Sequence, residues 1–178
     1  MERLAAASNT VPGKPVTVSM KDGIAQTERD RIVVAASSKN ANVTLAGVDV
    51  KLSGGDDCAF EVQSGATANV KLAEGFANSL VSGADRAGLE VSRDRLGNVA
   101  SVVIDGGGSL TAKCFSEQDA HGAGIGGGYS GSAGDITITG GAVTASCEAG
   151  DAAFGAGIGG GISGGAGTVS ISGGMVTA

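Results

Sequence analysis

Short alternations of apolar and polar residues, rather than helical stripes, run along this chain. Ile136-Thr137-Ile138 and Val169-Ser170-Ile171 alternate at period two. Each is followed by a glycine pair, Gly140-Gly141 or Gly173-Gly174, and then by a second short run, Val143-Thr144-Ala145 or Val176-Thr177-Ala178. A third segment, Ala123-Gly124-Ile125 or Ala156-Gly157-Ile158, completes the set. Period two marks half-buried strands, and the glycines mark the turns between them. The stretch from Ala25 to Asp30 is the one place where a short helix is expected.

The alternations belong to a long repeat. Cys114 to Ala145 and Cys147 to Ala178 match at 19 of 32 positions without a gap, a period of 33 residues. Ankyrin units share that period but need two helices each. Segments this rich in glycine cannot supply them, because each interior Gly costs a helix about 1 kcal/mol. The pattern predicts an all-β fold: a right-handed parallel β-helix (solenoid), three short strands per coil, with coils of about 27–33 residues stacked about 4.8 Å apart. The hand follows the usual sense of parallel crossovers.

Three regions are expected: a flexible lead-in over 1–15, an N-terminal capping coil over 16–40, and the β-helix over 41–178. The last strand carries no cap, so the chain is expected to be cut from a longer protein, and end-to-end self-stacking is an expected partner mode. Asn42–Leu45, Asn69–Leu72, Ser101–Ile104 and Asp135–Ile138 line up as one strand column. Ala59–Val62, Gly88–Val91, Gly122–Ile125 and Gly155–Ile158 line up as another, with Phe60, Leu89, Ala123 and Ala156 facing inward. The change from bulky residues to alanine along that column predicts a cross-section that varies along the axis.

Composition narrows the interior and the partners. Hydrophobic residues make up 42% but are mostly small, and aromatics only 3%, with a single Tyr and no Trp. The net charge is −6, every Lys and Arg lies at or before Lys113, and the last 65 residues carry five acids and no Lys or Arg. An acidic, base-free surface argues against nucleic acid and suits calcium or a cationic partner. No membrane-spanning run is present in the sequence, and no leader is visible at its start. An extracellular or cell-surface location, with a leader already removed, is expected.

NVTLAGVDVKLSG, CAFEVQSGATANVKL, AGLEV, VVIDGGGSLTA and HGAGIGGG…GDITITGGAVTA resemble a Gly-rich repeat of large surface proteins of gut bacteria. Those proteins are usually described as carbohydrate-binding or adhesin-like, and resemble the clostridial β-helix family that binds cellulose and polygalacturonate with calcium. The resemblance covers roughly residues 40–178. It implies a binding module for polysaccharide or host glycan, with calcium as the implied cofactor.

Candidate chemistry is sparse. Gly122-Ala-Gly124-Ile-Gly126-Gly127 fits the dinucleotide fingerprint, but the motif recurs one coil later with no helix after either copy, so tight turns are the better reading. Asp57 (beside Asp56), Asp85, Asp119 and Asp151 fall in the loop before the third strand of successive coils, a candidate calcium column. Cys114 and Cys147 share one repeat position, where either a disulfide or a buried thiol ladder would fit, while Cys58 is left over. His121 is the single histidine, and its counterpart one repeat later is Phe154. Arg86, Arg93 and Arg95 cluster with Asp85, Glu90 and Asp94, the one place an enzyme site would fit. The functional expectation is a non-catalytic carbohydrate-binding or adhesion module. The alternatives are a structural spacer displaying another domain, then a polysaccharide lyase or hydrolase.

Overall fold

The structure is a computed structural model that describes residues 4–6, 14–54 and 57–178. Most of the expected lead-in, with Pro12 and Gly13, lies outside them. The chain winds as a parallel β-solenoid of about four turns. Three sheets of stacked strands form its walls, and no helix occurs among the described residues. Taking the fullest coils, the first sheet holds Ala41–Leu45, Thr67–Leu72, Ser101–Gly106, Asp135–Ile138 and Thr168–Ile171. The second holds Asp49–Lys51, Ala77–Ser82, Ser109–Ser116, Ala142–Ala149 and Met175–Thr177. The third holds Ile32–Val34, Phe60–Val62, Leu89–Arg93, Ile125–Gly126 and Ile158–Gly159. At the N-terminal end Val16–Met20 adds in parallel to the first sheet, and Leu4–Ala6 pairs with it antiparallel.

Alternation along each strand sorts its side chains between core and outside. Val70, Ile104 and Ile138 stack on one another in the first sheet, and Leu80, Ala112 and Ala145 in the second. All six are buried. Phe60, Leu89, Ile125 and Ile158 form the equivalent line in the third. Along these lines bulk falls in the second sheet from Leu80 to Ala112, falls once in the third from Phe60 to Leu89, and rises in the first from Val70 to Ile104. The last coil leaves Val169, Ile171 and Met175 exposed.

Among the described residues four polar side chains are buried, Thr27, Asn78, Ser82 and Glu90, and the first three are bonded to the backbone, as burial requires. Asn78 stacks in line with Leu110. Its Oδ1 accepts the Gly47 and Val48 N–H groups, both at 3.0 Å, and its Nδ2 donates to Ser109 O at 3.0 Å. Ser82 donates to Ala87 O and accepts from Ala59 N. Thr27 Oγ1 accepts from the N–H groups of Arg29 and Asp30. That turn, with Thr27 bridged to Val50, replaces the helix expected from Ala25 to Asp30. A buried hydroxyl bonded to the backbone two and three residues on competes with helix and favours a turn.

Two expected registers are corrected by two residues. Asn42 pairs with Asn69 as expected, but Ser101 pairs with Thr67 rather than Asn69. Likewise Ile125 pairs with Leu89, so Ala123 is not its neighbour in the column. A slip of two preserves which face each side chain takes, so the hydrophobic pattern is blind to it. The fingerprint glycines behave as turn and stacking residues. Gly126 has φ +136°, and a Cβ there would run into the carbonyl oxygen of Gly159 on the next coil.

Candidate functional site

The slip in the third sheet brings together residues that the sequence keeps apart. The loop before Ile125 places His121 over the turn that follows the strand Ala77–Ser82, with His121 N–H donating to Ala84 O at 2.7 Å. His121 Nδ1 lies 2.7 Å from Asp85 Oδ1. A carboxylate only accepts, so Nδ1 carries the proton and Nε2 is left as an acceptor when the ring is neutral. The ring stacks on Phe154 at 5.7 Å and meets Tyr129 edge-on at 5.3 Å.

Tyr129 is set by a tight turn. Gly131 N–H donates to Gly128 O at 2.8 Å, Ser130 takes φ +52°, and Tyr129 N–H donates to Asp85 O at 2.7 Å. Only glycine fits at 128, because a Cβ there would stand 2.8 Å from Asp85 O and 3.2 Å from Glu90 Oε2. The next copy repeats this turn at Gly161–Gly164, with Ser163 at φ +61°, but has Ile162 in place of Tyr129. The turn is therefore part of the coil, and its chemistry belongs to one coil alone.

Asp85, Arg86, Glu90, Ser92, Gly128, Tyr129 and Gly131 line a cleft of about 240 Å³. Glu90 is 6% exposed. Its Oε1 accepts from Ser92 Oγ at 3.1 Å, and Oε2 accepts from Ala87 N–H at 3.4 Å and lies 2.9 Å from Arg86 Nε. Burial raises the Glu90 carboxyl above its usual range, more than Arg86 and these hydrogen bonds lower it. The Arg86 Nε–H is not directed along that short contact, so it makes an ion pair there and no hydrogen bond. Arg86 Nη2 reaches Glu61 at 3.8 Å and Cys58 Sγ at 3.9 Å. Burial, with the charge of Glu90, pushes the Cys58 thiol up to about 12.

The expected calcium column is dispersed. Asp57 pairs with Arg31 at 2.9 Å, Asp85 with His121, and Asp151 N–H bonds to Gln118 O. Asp119 is exposed, and Asp56 lies outside the described residues. Among the described residues no group of three or more His, Cys, Asp or Glu side chains gathers to hold a metal. The physical reason is loop length: Asp85 falls level with His121, not with Asp119. The arginine cluster divides as well. Arg86 and Glu90 enter the cleft, whereas Arg93 and Arg95 are exposed outside it. Asp94 closes a turn by accepting from Leu96 N, Asn98 N and Asn98 Nδ2.

Cys114 and Cys147 are partners on adjacent strands, as the repeat predicts. Both are free thiols here, as is Cys58. Their Sγ atoms face loop carbonyls, Cys114 toward Ala84 O at 3.1 Å and Cys147 toward Ala120 O at 3.5 Å. Of the cleft, sequence reasoning missed Ser92 and the grouping of Tyr129 with His121 and Phe154. The signal that bore on it was scarcity: Tyr129 is the single tyrosine in a chain poor in aromatics.

A beta helix repeat family model matches residues 102–129 and 136–162. The chain therefore contains beta-helix repeats. The first matched stretch ends on Tyr129 and the second spans Phe154, so the aromatic group is built on repeat positions. No curated protein and no solved structure matches the chain. Beta-helix repeats occur in enzymes and non-enzymes alike, so the fold by itself assigns no activity.

Proposed function

We propose that this protein is a non-catalytic carbohydrate-binding module that works outside the cell, and that the Asp85–Tyr129 cleft is where sugar binds. The observation that carries this reading is the placement of exposed rings beside a polar cleft. Tyr129 is 58% exposed and Phe154 50%, in a chain whose largest fully buried side chain is also aromatic, Phe60. Exposed rings present apolar faces to a sugar ring, and the adjoining carboxylates, guanidinium and hydroxyl suit its hydroxyl groups. The binding mode uses hydrogen bonds and ring contacts and does not depend on the dispersed calcium column.

A glycan array tests the reading, followed by calorimetry on the best ligand. Tyr129→Ala is expected to weaken binding about tenfold, the scale of a ring contact plus its buried area. An array with no retained glycan would refute the reading. A second reading, a spacer that holds another domain away from a surface, is favoured by the in-register stacking of Ser109–Ser116 on Ala142–Ala149. A spacer would show no saccharide binding and no change on Tyr129→Ala.

A further inference from the structure

The mouth of the cleft offers a half-exposed carboxylate and ring faces. Asp85 is 47% exposed on its side chain, and one of its two carboxylate oxygens is engaged, by His121. Tyr129 presents a ring whose face carries partial negative charge. Arg86 is the one cation lining the cleft, and it lies between Glu90 at 2.9 Å and Glu61 at 3.8 Å. Its charge is therefore offset from within the wall. From Cys114 onward the chain has five acids and no Lys or Arg, so nothing on the following coil restores the balance.

A ligand that complements this mouth must bring donors and positive charge. We propose that the cleft selects glycans bearing a free amino group, with the ammonium seated between the Asp85 carboxylate and the Tyr129 ring. This rests on the carbohydrate reading above and adds the charge of the ligand to it. An ammonium has three donors and no acceptor, which suits the Asp85 carboxylate oxygen that His121 leaves unengaged, and it gains from the aromatic face. Acetylation removes that charge and two of the donors. A uronate would meet Asp85 and Glu90 with like charge.

The test is calorimetry on the full chain with four hexasaccharides: β-1,4-linked glucosamine, its N-acetylated form, the neutral glucose oligomer and the galacturonate oligomer. Spermidine serves as a non-sugar amine. The glucosamine oligomer is expected to bind at least tenfold more tightly than the other three sugars and than spermidine, and more weakly as salt rises. Asp85→Asn and Tyr129→Leu should each reduce that affinity about tenfold or more, with unchanged melting temperature. Asp119→Asn, an exposed acid that does not line the cleft, should leave it unchanged. Equal binding of the acetylated and free-amine oligomers would overturn the charge inference while the carbohydrate reading stands. Spermidine binding as tightly as the oligomer, with loss in Asp85→Asn, would overturn the carbohydrate reading and keep an amine site. An equal loss in Asp119→Asn would reduce the effect to general acidity and overturn the assigned position.

Discussion

Glu61 and Glu90 are direct partners on adjacent strands of the third sheet, yet only Glu90 is roofed. The turn at Gly128 and Tyr129 folds over Glu90, and Arg86 lies between the two carboxylates. The same strand position thus holds a half-buried acid on one coil and a buried one on the next.

Burial at Glu90 and hydrogen bonding at Glu148 predict opposite titrations for these two acids. Glu90 is raised by burial, so its contribution to stability is present below the unfolded carboxylate pKa and is lost as pH rises through its folded value. Glu148 is lowered by hydrogen bonds from Lys113, at 3.0 Å, and from Ser146. Its contribution is present above the unfolded value and is lost as pH falls through the folded one. Carboxyl carbon NMR titration should place the Glu90 midpoint above the ordinary glutamate value and the Glu148 midpoint below it. A reversed order would contradict the burial of Glu90.

Asn78 is the buried polar residue on which the second sheet depends. Asn78→Ala removes the acceptor of two backbone N–H groups, those of Gly47 and Val48. A loss of about 2–4 kcal/mol in denaturant unfolding is expected, since each buried group left unsatisfied costs on the order of 1–3 kcal/mol. Asn78→Leu, which matches its neighbour Leu110 in type, should be destabilised on the same scale, because shape does not replace the acceptor.

Glycines differ sharply in what they tolerate. Gly126→Ala puts a Cβ against the backbone of Gly159 at a positive φ, so the contact between these coils cannot form as it stands. Unfolding of the last coils, or a loss of several kcal/mol, is expected, a scale reserved for backbone effects of this kind. Gly54→Ala has open space around it and should change stability by less than about 0.5 kcal/mol. Hydrogen exchange of the 125–178 amides would separate local from global loss.

Thiol labelling should follow burial. Cys58 and Cys114 are buried, and both thiols are pushed up to about 12, chiefly by that burial. Alkylation at pH 8 should modify the half-buried Cys147 first and reach the other two at the rate of unfolding. Equal labelling of all three in the native protein would contradict the packing of Cys114 against Gly83 and Ala84.

The architecture was legible in the sequence because a period-two pattern repeated at 33 residues leaves few ways to bury its apolar face. Phe60, Leu89, Ile136 and Ile138 all face inward as that pattern requires. The cleft was legible only in pieces. Asp85, Arg86, Glu90 and His121 stand out in the sequence, and the repeat places His121 beside Phe154, as the stacked rings show, but it sets Asp85 level with Asp119 rather than His121. Loop length decides which residues stand level, and alternation carries no record of a two-residue slip. Asn78 was hidden for a different reason: an asparagine in an inward position reads as a break in the pattern until the carbonyl and N–H groups it serves are in place.

The most direct test of the account is an amide NMR titration of the labelled protein with the oligosaccharide best retained on the array. The account predicts shifts clustered at residues 85–92 and 128–131, led by the Tyr129 N–H that bonds to Asp85 O, together with His121 and Phe154. Shifts centred on another face of the solenoid, or none at saturating saccharide, would contradict it.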